Sequence, residues 1–334
     1  MKKIIIALML VFCVFVNSCS VLIDEEIYVN VEEPHFTYEF ADVEKGKQLL
    51  MSNTEYHDNF SKADLEYKLQ KKGATKEEYL EFAESKVMEF TEEEKKMIDK
   101  CMNYIEQIIV KEGYTLPEID TVNFVKTTME EEGNAAAYTH KSDIYLGADA
   151  LKTYLDAPEE EQIYFAALML HELFHCITRN NPDFRSEIYK VINFNVTGTD
   201  FKISPQIKER MISNPDVANH DAYATFTING EKKDCFVVYL TTKEFENEGD
   251  AFFDNAQAHL IPVDSPDTVY TTDEVEDFWD VFGKNTYYVI DPEECLADNF
   301  YCAFLINQGD FKDFKWESPE ILEKISTILK AESK

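Results

Sequence analysis

The sequence predicts an α+β fold, and three observations carry the prediction. Residues 62 to 112 read as helix. Residues 121 to 147 read as short strands, ahead of a helix near 159–179 that is apolar on all sides. Hairpins then fill about 221–263, before closing helices. Helices and strands are grouped along the chain rather than alternating, which implies α+β rather than a parallel βαβ array. With 334 residues and 45% apolar side chains, a sizeable core is expected.

The chain opens with Lys2 and Lys3 before an unbroken apolar run from Ile4 to Val16. That run is short for a membrane span and typical of the apolar part of a signal peptide. Val16-Asn17-Ser18-Cys19 resembles the bacterial lipobox. Residues 1–18 are therefore expected to be a signal peptide, with Cys19 lipidated as the mature N-terminus. Ordinary cleavage near Ser18 or Ser20, giving a secreted soluble protein, is the alternative. An uncleaved anchor is the third reading; all three place the domain outside the cytoplasm, and on the first the membrane is reached only through the N-terminal lipid. Residues 19–60 read as an acidic, irregular tether, and 61–334 as one domain with a β-hairpin insertion at about 221–263.

The formal net charge is −33. Such a charge argues against nucleic acid and anionic lipid surfaces as partners. Cys13 leaves with the leader, and five cysteines remain beyond Cys19: Cys101, Cys176, Cys235, Cys295 and Cys302. An odd number cannot all pair, and no CxxC occurs. Cys176 and Cys295 read as small packing residues.

In the helical stretch, Thr91 with Glu94 three places on forms a capping box, and the helix is expected to end near Gly113. Met97, Cys101, Tyr104, Ile105, Ile108 and Ile109 keep to one face. Strands are expected over 121–129, 134–140 and 143–147. Glu159, Glu160 and Glu161 suit the start of the next helix, which Asn180, Asn181 and Pro182 end. Asn229-Gly230 between two alternating runs signals a hairpin, and 256–263 reads as a third strand. Pro292 opens a helix over 291–307, and 318–332 closes the chain as another.

The chemistry lies in "LMLHELFHCITRN", residues 168–180. His171 and His175 are one helical turn apart on one face and can present two imidazoles to one ion. Glu172 stands beside the first, placed to act on water as general base. Ile163 to Leu170 is apolar throughout, so bare imidazoles and a carboxylate in this helix would be costly to bury without a cation. The bland alternative is a pair of packed histidines. A third ligand should come from a distant segment. "PEECLADNF" offers Glu294, with Asp298 four residues on; His220 and His259 are lone alternatives. Glu294 would coordinate, and Asp298 would accept the N–H of a ligand histidine. For Glu293 and Glu294 the bland reading is a solvated acidic first turn.

HELFH with EECLAD resembles the gluzincin, or thermolysin-like, zinc metallopeptidases. The sequence also resembles uncharacterised bacterial metallopeptidase lipoproteins. The resemblance implies a zincin-like fold: a small sheet packed on a buried HExxH helix, and a C-terminal helical part carrying the third ligand. It implies one Zn2+ per chain held by His171, His175 and Glu294, Glu172 as base, and Asp298 behind the ligands. The gap between the two motifs is longer than is usual in thermolysin and contains the hairpin region. The implied activity is hydrolysis of peptide bonds in a peptide or protein substrate by zinc-activated water. Oxyanion or substrate candidates are Tyr287, Tyr288, Tyr189, His220 and His259, and 135–140 is a candidate edge for an added substrate strand. The rival expectation is a surface lipoprotein with a structural or vestigial zinc site, acting as a binding protein.

Overall fold

The computed structural model describes residues 33 to 331. The expected signal peptide, Cys19 and residues up to 32 lie outside them. The fold is mixed α+β, with two sheets.

The first half begins with β1 (Tyr38–Phe40), α1 (Val43–Met51) and α2 (Thr54–Asp58). This corrects the expectation of an irregular tether reaching residue 60. β1 pairs in parallel with the later strand β3 (Val122–Thr127), Phe40 standing opposite Phe124, and Phe36, Ala41 and Leu50 are buried. Asp42 caps α1 by accepting from the Lys45 N–H. These anchors are single apolar residues set among acids, so no period betrayed them.

Residues 62–112 are not one helical stretch. α3 (Lys62–Lys68) and α4 (Lys76–Glu84) each start at a capping box, on Ser61 and Thr75. β2 (Val87–Met88) then pairs antiparallel with β3, and α5 (Glu92–Glu112) follows. Thr91 and Glu94 form the expected box, and α5 stops at Gly113 in the left-handed region. The strands β3 (Val122–Thr127), β4 (Ala137–His140) and β5 (Asp143–Gly147) match their expected places. The sheet order is β1-β3-β5-β4, with β2 also along β3. β3 and β5 are parallel, while β4 runs antiparallel to β5 and forms an edge.

α6 (Ala148–Asp156) leads through a 3-10 turn at Glu159–Glu161 into α7 (Gln162–Asn180). α7 is buried along nearly its whole length and packs on β4, β5 and α5. It ends where expected, but Pro182 opens a new helix, α8 (Pro182–Tyr189), because proline suits a first helical turn.

The second half holds β6 (Asn195–Val196), α9 (Pro205–Lys208), β7 (Ala222–Ile228), β8 (Glu231–Thr241), α10 (Phe252–Asn255), β9 (Ala256–Pro262) and β10 (Tyr270–Thr271). The five strands form an antiparallel sheet in the order β10-β9-β8-β7-β6. Asn229 and Gly230 both have positive φ, the geometry of a two-residue hairpin turn whose twist matches its strands. α11 (Phe278–Phe282), α12 (Pro292–Phe304) and α13 (Pro319–Leu329) complete the chain. α12 lies across α7, with Phe300 against Phe174 at 5.2 Å between ring centres. Side chains of α5, α7, α12, α13 and β7 share one core.

Cys101, Cys176, Cys235, Cys295 and Cys302 are all free and buried. Burial pushes every one of these thiols up, Cys235 to about 12. No described helix is long and apolar enough to cross a membrane.

Candidate metal centre

The site forms where α12 crosses α7. On α7, the i, i+4 spacing stacks His171 and His175, their ring centres 4.8 Å apart. On α12, Asp291 caps the helix by accepting from the Glu293 N–H, and Pro292 sits in the first turn. This cap turns Glu293 and Glu294 toward α7. Glu294 Oε2 comes within 3.0 Å of His171 Nε2 and 3.6 Å of His175 Nε2. The three residues are buried and their ligand atoms lie close enough to share one ion.

The donor set fits a cation. His171 Nδ1 is 3.0 Å from Asp298 Oδ1, and His175 Nδ1 is 3.2 Å from Glu293 Oε1. Each carboxylate draws the imidazole N–H to Nδ1, so both Nε2 lone pairs face inward. Two imidazole nitrogens and a carboxylate then converge on one point. His175 Nε2 and Glu172 Oε2 are buried with no hydrogen-bond partner. Such orphaned groups are costly unless a cation or a proton joins them.

Without a cation the cluster gathers protons. Burial pushes the His171 imidazole down, but Asp298 and Glu294 outweigh it and lift it to about 10. For His175 burial again works against the charge, yet Asp216, Glu294 and Glu293 lift it well above its usual value. Burial opposes ionisation of Glu294, but the two imidazoles hold it well below the usual carboxylate range. Glu172 is pushed up to about 8, first by burial and then by the nearby Asp216 carboxylate.

Each distal imidazole nitrogen has its own anchored carboxylate. Asp298 also accepts from the Thr286 hydroxyl. Glu293 accepts from Thr178 and from the Tyr189 hydroxyl, and Arg185 Nε lies 3.9 Å away. Arg185 is itself held by both oxygens of Asp221, at 2.8 and 3.1 Å. Glu293 is thus a buried positioning group for His175, not the solvated first-turn acid that its sequence position suggests. The capping of a dipole by paired acids hides such a role in the sequence.

The other candidates divide clearly. Tyr288 lines the cavity beside the cluster, its ring 6.2 Å from His171. Tyr287 is 60% exposed and packs on Trp279. Tyr189 supports Glu293 and does not line the cavity. His259 sits on β9 with Nδ1 on the Gln257 carbonyl, and the His220 N–H donates to Asp200; neither lines the cavity. The third group that converges with His171 and His175 is therefore Glu294 and not a lone histidine.

Residues 212–216 line the cavity together with Ala135 and Ala137. Asn214 Nδ2 donates to Glu294 Oε1, and Asp216 stands beside Glu172 and His175. These residues lie in an irregular segment with no motif, so nothing in the sequence marked them. The cavity measures about 40 Å³, room for a few waters, whereas small-molecule sites span about 300–1,000 Å³.

Compared with known proteins, the chain matches no family model, no curated protein and no solved structure.

Proposed function

We propose that the protein is a zinc-dependent metallopeptidase of gluzincin type with a zincin-like fold, tethered outside the cytoplasm by a lipid on Cys19. One observation carries this reading. His171, His175 and Glu294 converge from two helices, with both imidazoles oriented by anchored carboxylates and Glu172 beside the first. Two nitrogens and a carboxylate oxygen are a zinc donor set, and three protein ligands leave room for catalysis.

Zinc held there supplies Lewis acidity toward a carbonyl oxygen and toward water. The chain's own groups do the rest. His171, His175 and Glu294 hold the ion, while Asp298 and Glu293 fix the ring orientations. Glu172 takes a proton from the attacking water and returns it to the leaving nitrogen. Tyr288, which lines the cavity, would be the group that faces a developing oxyanion. The outer edge of β4 is where an extended peptide would add as a strand.

The test is hydrolysis of a quenched peptide library by the zinc-loaded chain and by Glu172→Gln. Cleavage lost in Glu172→Gln with zinc retained supports the reading; cleavage that persists undiminished defeats it. The small cavity favours a second reading, a binding lipoprotein whose zinc is structural. Zinc that stabilises the fold while no library member is cleaved under any condition selects that reading.

A further inference from the structure

We propose that Asp216 is an intramolecular metal ligand that closes the site, and that Ser213–Asp216 fills the groove where a substrate strand would lie. The proposal rests on reading the cluster as a metal centre, and makes the described form a latent one.

A second set of potential ligand atoms, on Glu172, His175 and Asp216, lies within 4.8 Å of one another. It shares His175 with the first set. His175 Nδ1 is occupied by Glu293, so only Nε2 is free to ligate, and one imidazole nitrogen serves one ion. An ion on that nitrogen therefore has two further carboxylates near it, Glu172 and Asp216; Glu172 is the base of the proposed reaction, which leaves Asp216 as the candidate fourth donor. A zinc site with four protein ligands is closed, and one with three keeps a position for water.

Asp216 is also bound to the edge strand. Its Oδ1 accepts from the Thr139 backbone N–H and from the Thr139 hydroxyl, both at 2.7 Å. Oδ2 takes part in neither bond. An outward N–H on an edge strand is the group that an added peptide would use. Here the chain's own carboxylate has taken it. Asn214 does the same to the ligand: its amide donates to Glu294 Oε1, and its Oδ1 accepts from the Asp216 N–H at 2.9 Å.

The segment is held at both ends. Asp64, buried on α3, accepts from the Ser213 N–H and hydroxyl at 2.7 and 2.8 Å. Arg179, in the last turn of α7, donates to the carbonyls of Pro215 at 3.3 Å and Asp216 at 3.1 Å. These clamps aim Asn214 and Asp216 at the metal cluster. The segment lines a cavity of only about 40 Å³ beside the cluster. Substrate access requires the Asp216 carboxylate to leave both Thr139 and the ion.

The experiment loads the full chain with cobalt(II), as wild type, Asp216→Asn and Asn214→Ala. It follows the visible absorption while acetohydroxamate is titrated in. Asp216→Asn keeps an oxygen for the Thr139 N–H, so folding is preserved while the anionic ligand is lost. The expected result is a wild-type spectrum that hydroxamate barely changes. Asp216→Asn should have an altered cobalt band and bind hydroxamate roughly tenfold or more tightly. Asn214→Ala should bind it more tightly than wild type. Identical bands and hydroxamate affinities in wild type and Asp216→Asn overturn the latch while leaving the metal centre standing. A wild-type chain that takes up no cobalt overturns both.

Discussion

His175 and Glu293 stand in the relation that His171 and Asp298 also have: an imidazole Nδ1 on a carboxylate oxygen, at 3.2 Å and 3.0 Å. Both carboxylates ride on α12, five positions apart, and both imidazoles on α7. Each pairing holds a ring plane before any ion arrives. α12 therefore brings, in little more than one turn, the candidate ligand Glu294 and two carboxylates that hold the imidazoles.

Glu293→Gln and Asp298→Asn should each weaken zinc binding about 10–100-fold, the usual effect of losing an orienting partner. Glu294→Ala should weaken it further, since it removes a donor. Competition titration with a chromogenic chelator measures all three. Equal affinities for Glu294→Ala and wild type would exclude Glu294 as a ligand.

Glu172→Gln should retain zinc at wild-type stoichiometry and lose about 10²–10⁴-fold in hydrolysis rate, the range for a positioned general base. Elemental analysis and single-substrate kinetics on the same preparation check both halves. Loss of zinc along with activity would mean that Glu172 serves as a ligand or a structural group.

Metal uptake should be pH-dependent, and the sign follows from the protonated cluster. In the cation-free chain His171 titrates near 10, so at neutral pH it holds a proton that the ion must displace. Zinc binding should release protons and strengthen as pH rises across neutrality. A raised folded-state pKa stabilises fully below the unfolded value, near 6.5, and that stabilisation is lost as pH rises through about 10. The cation-free chain should thus weaken in alkali while the zinc-loaded chain does not. Urea denaturation across pH, with and without chelator, gives both curves. A flat zinc affinity across neutrality would contradict the protonated cluster.

Lys68, buried on α3, pairs with buried Glu132 and donates to Tyr56 at 3.1 Å. Glu132 also accepts from Tyr56 and Tyr79. Lys68→Met should destabilise by about 3–5 kcal/mol, because it strands a buried carboxylate. Lys68→Met with Glu132→Gln should recover much of the loss. Urea midpoints decide it: a double variant as unstable as the single would place the cost in packing rather than charge.

The metal cluster was legible because two periodic signals coincide. An i, i+4 pair of histidines inside an all-apolar helix, and an i, i+4 pair of acids in another apolar stretch, are hard to place anywhere but facing each other. Asn229-Gly230 gave the hairpin in the same local way, since few residues tolerate two positive φ values in succession. β1 and β2, of three and two residues, were too short to show alternation and are fixed only by pairing with β3. α6 and α8 went unread, although Pro182 is the helix opener of α8. Glu293 was hidden by its place in a first turn where acids are ordinary. Asn214 and Asp216 were hidden because a loop clamped by Asp64 and Arg179 owes its path to residues far away in the chain. The long gap between the two motifs is where that loop and the second sheet reside.

The five buried thiols give the chain an internal clock. A thiol reacts as its thiolate, and burial suppresses that form in Cys101, Cys176, Cys235, Cys295 and Cys302 alike. Alkylation therefore proceeds only as fast as each neighbourhood opens. Cys101 times α5, and Cys235 times the second sheet. Cys176 and Cys295 each follow a metal-cluster residue directly in sequence, on the two helices that an ion would bind together. Their labelling rates should fall in step when zinc is added, while the rate at Cys235 changes least. The chain thus records, cysteine by cysteine, how far a bound ion restrains breathing beyond its own ligands.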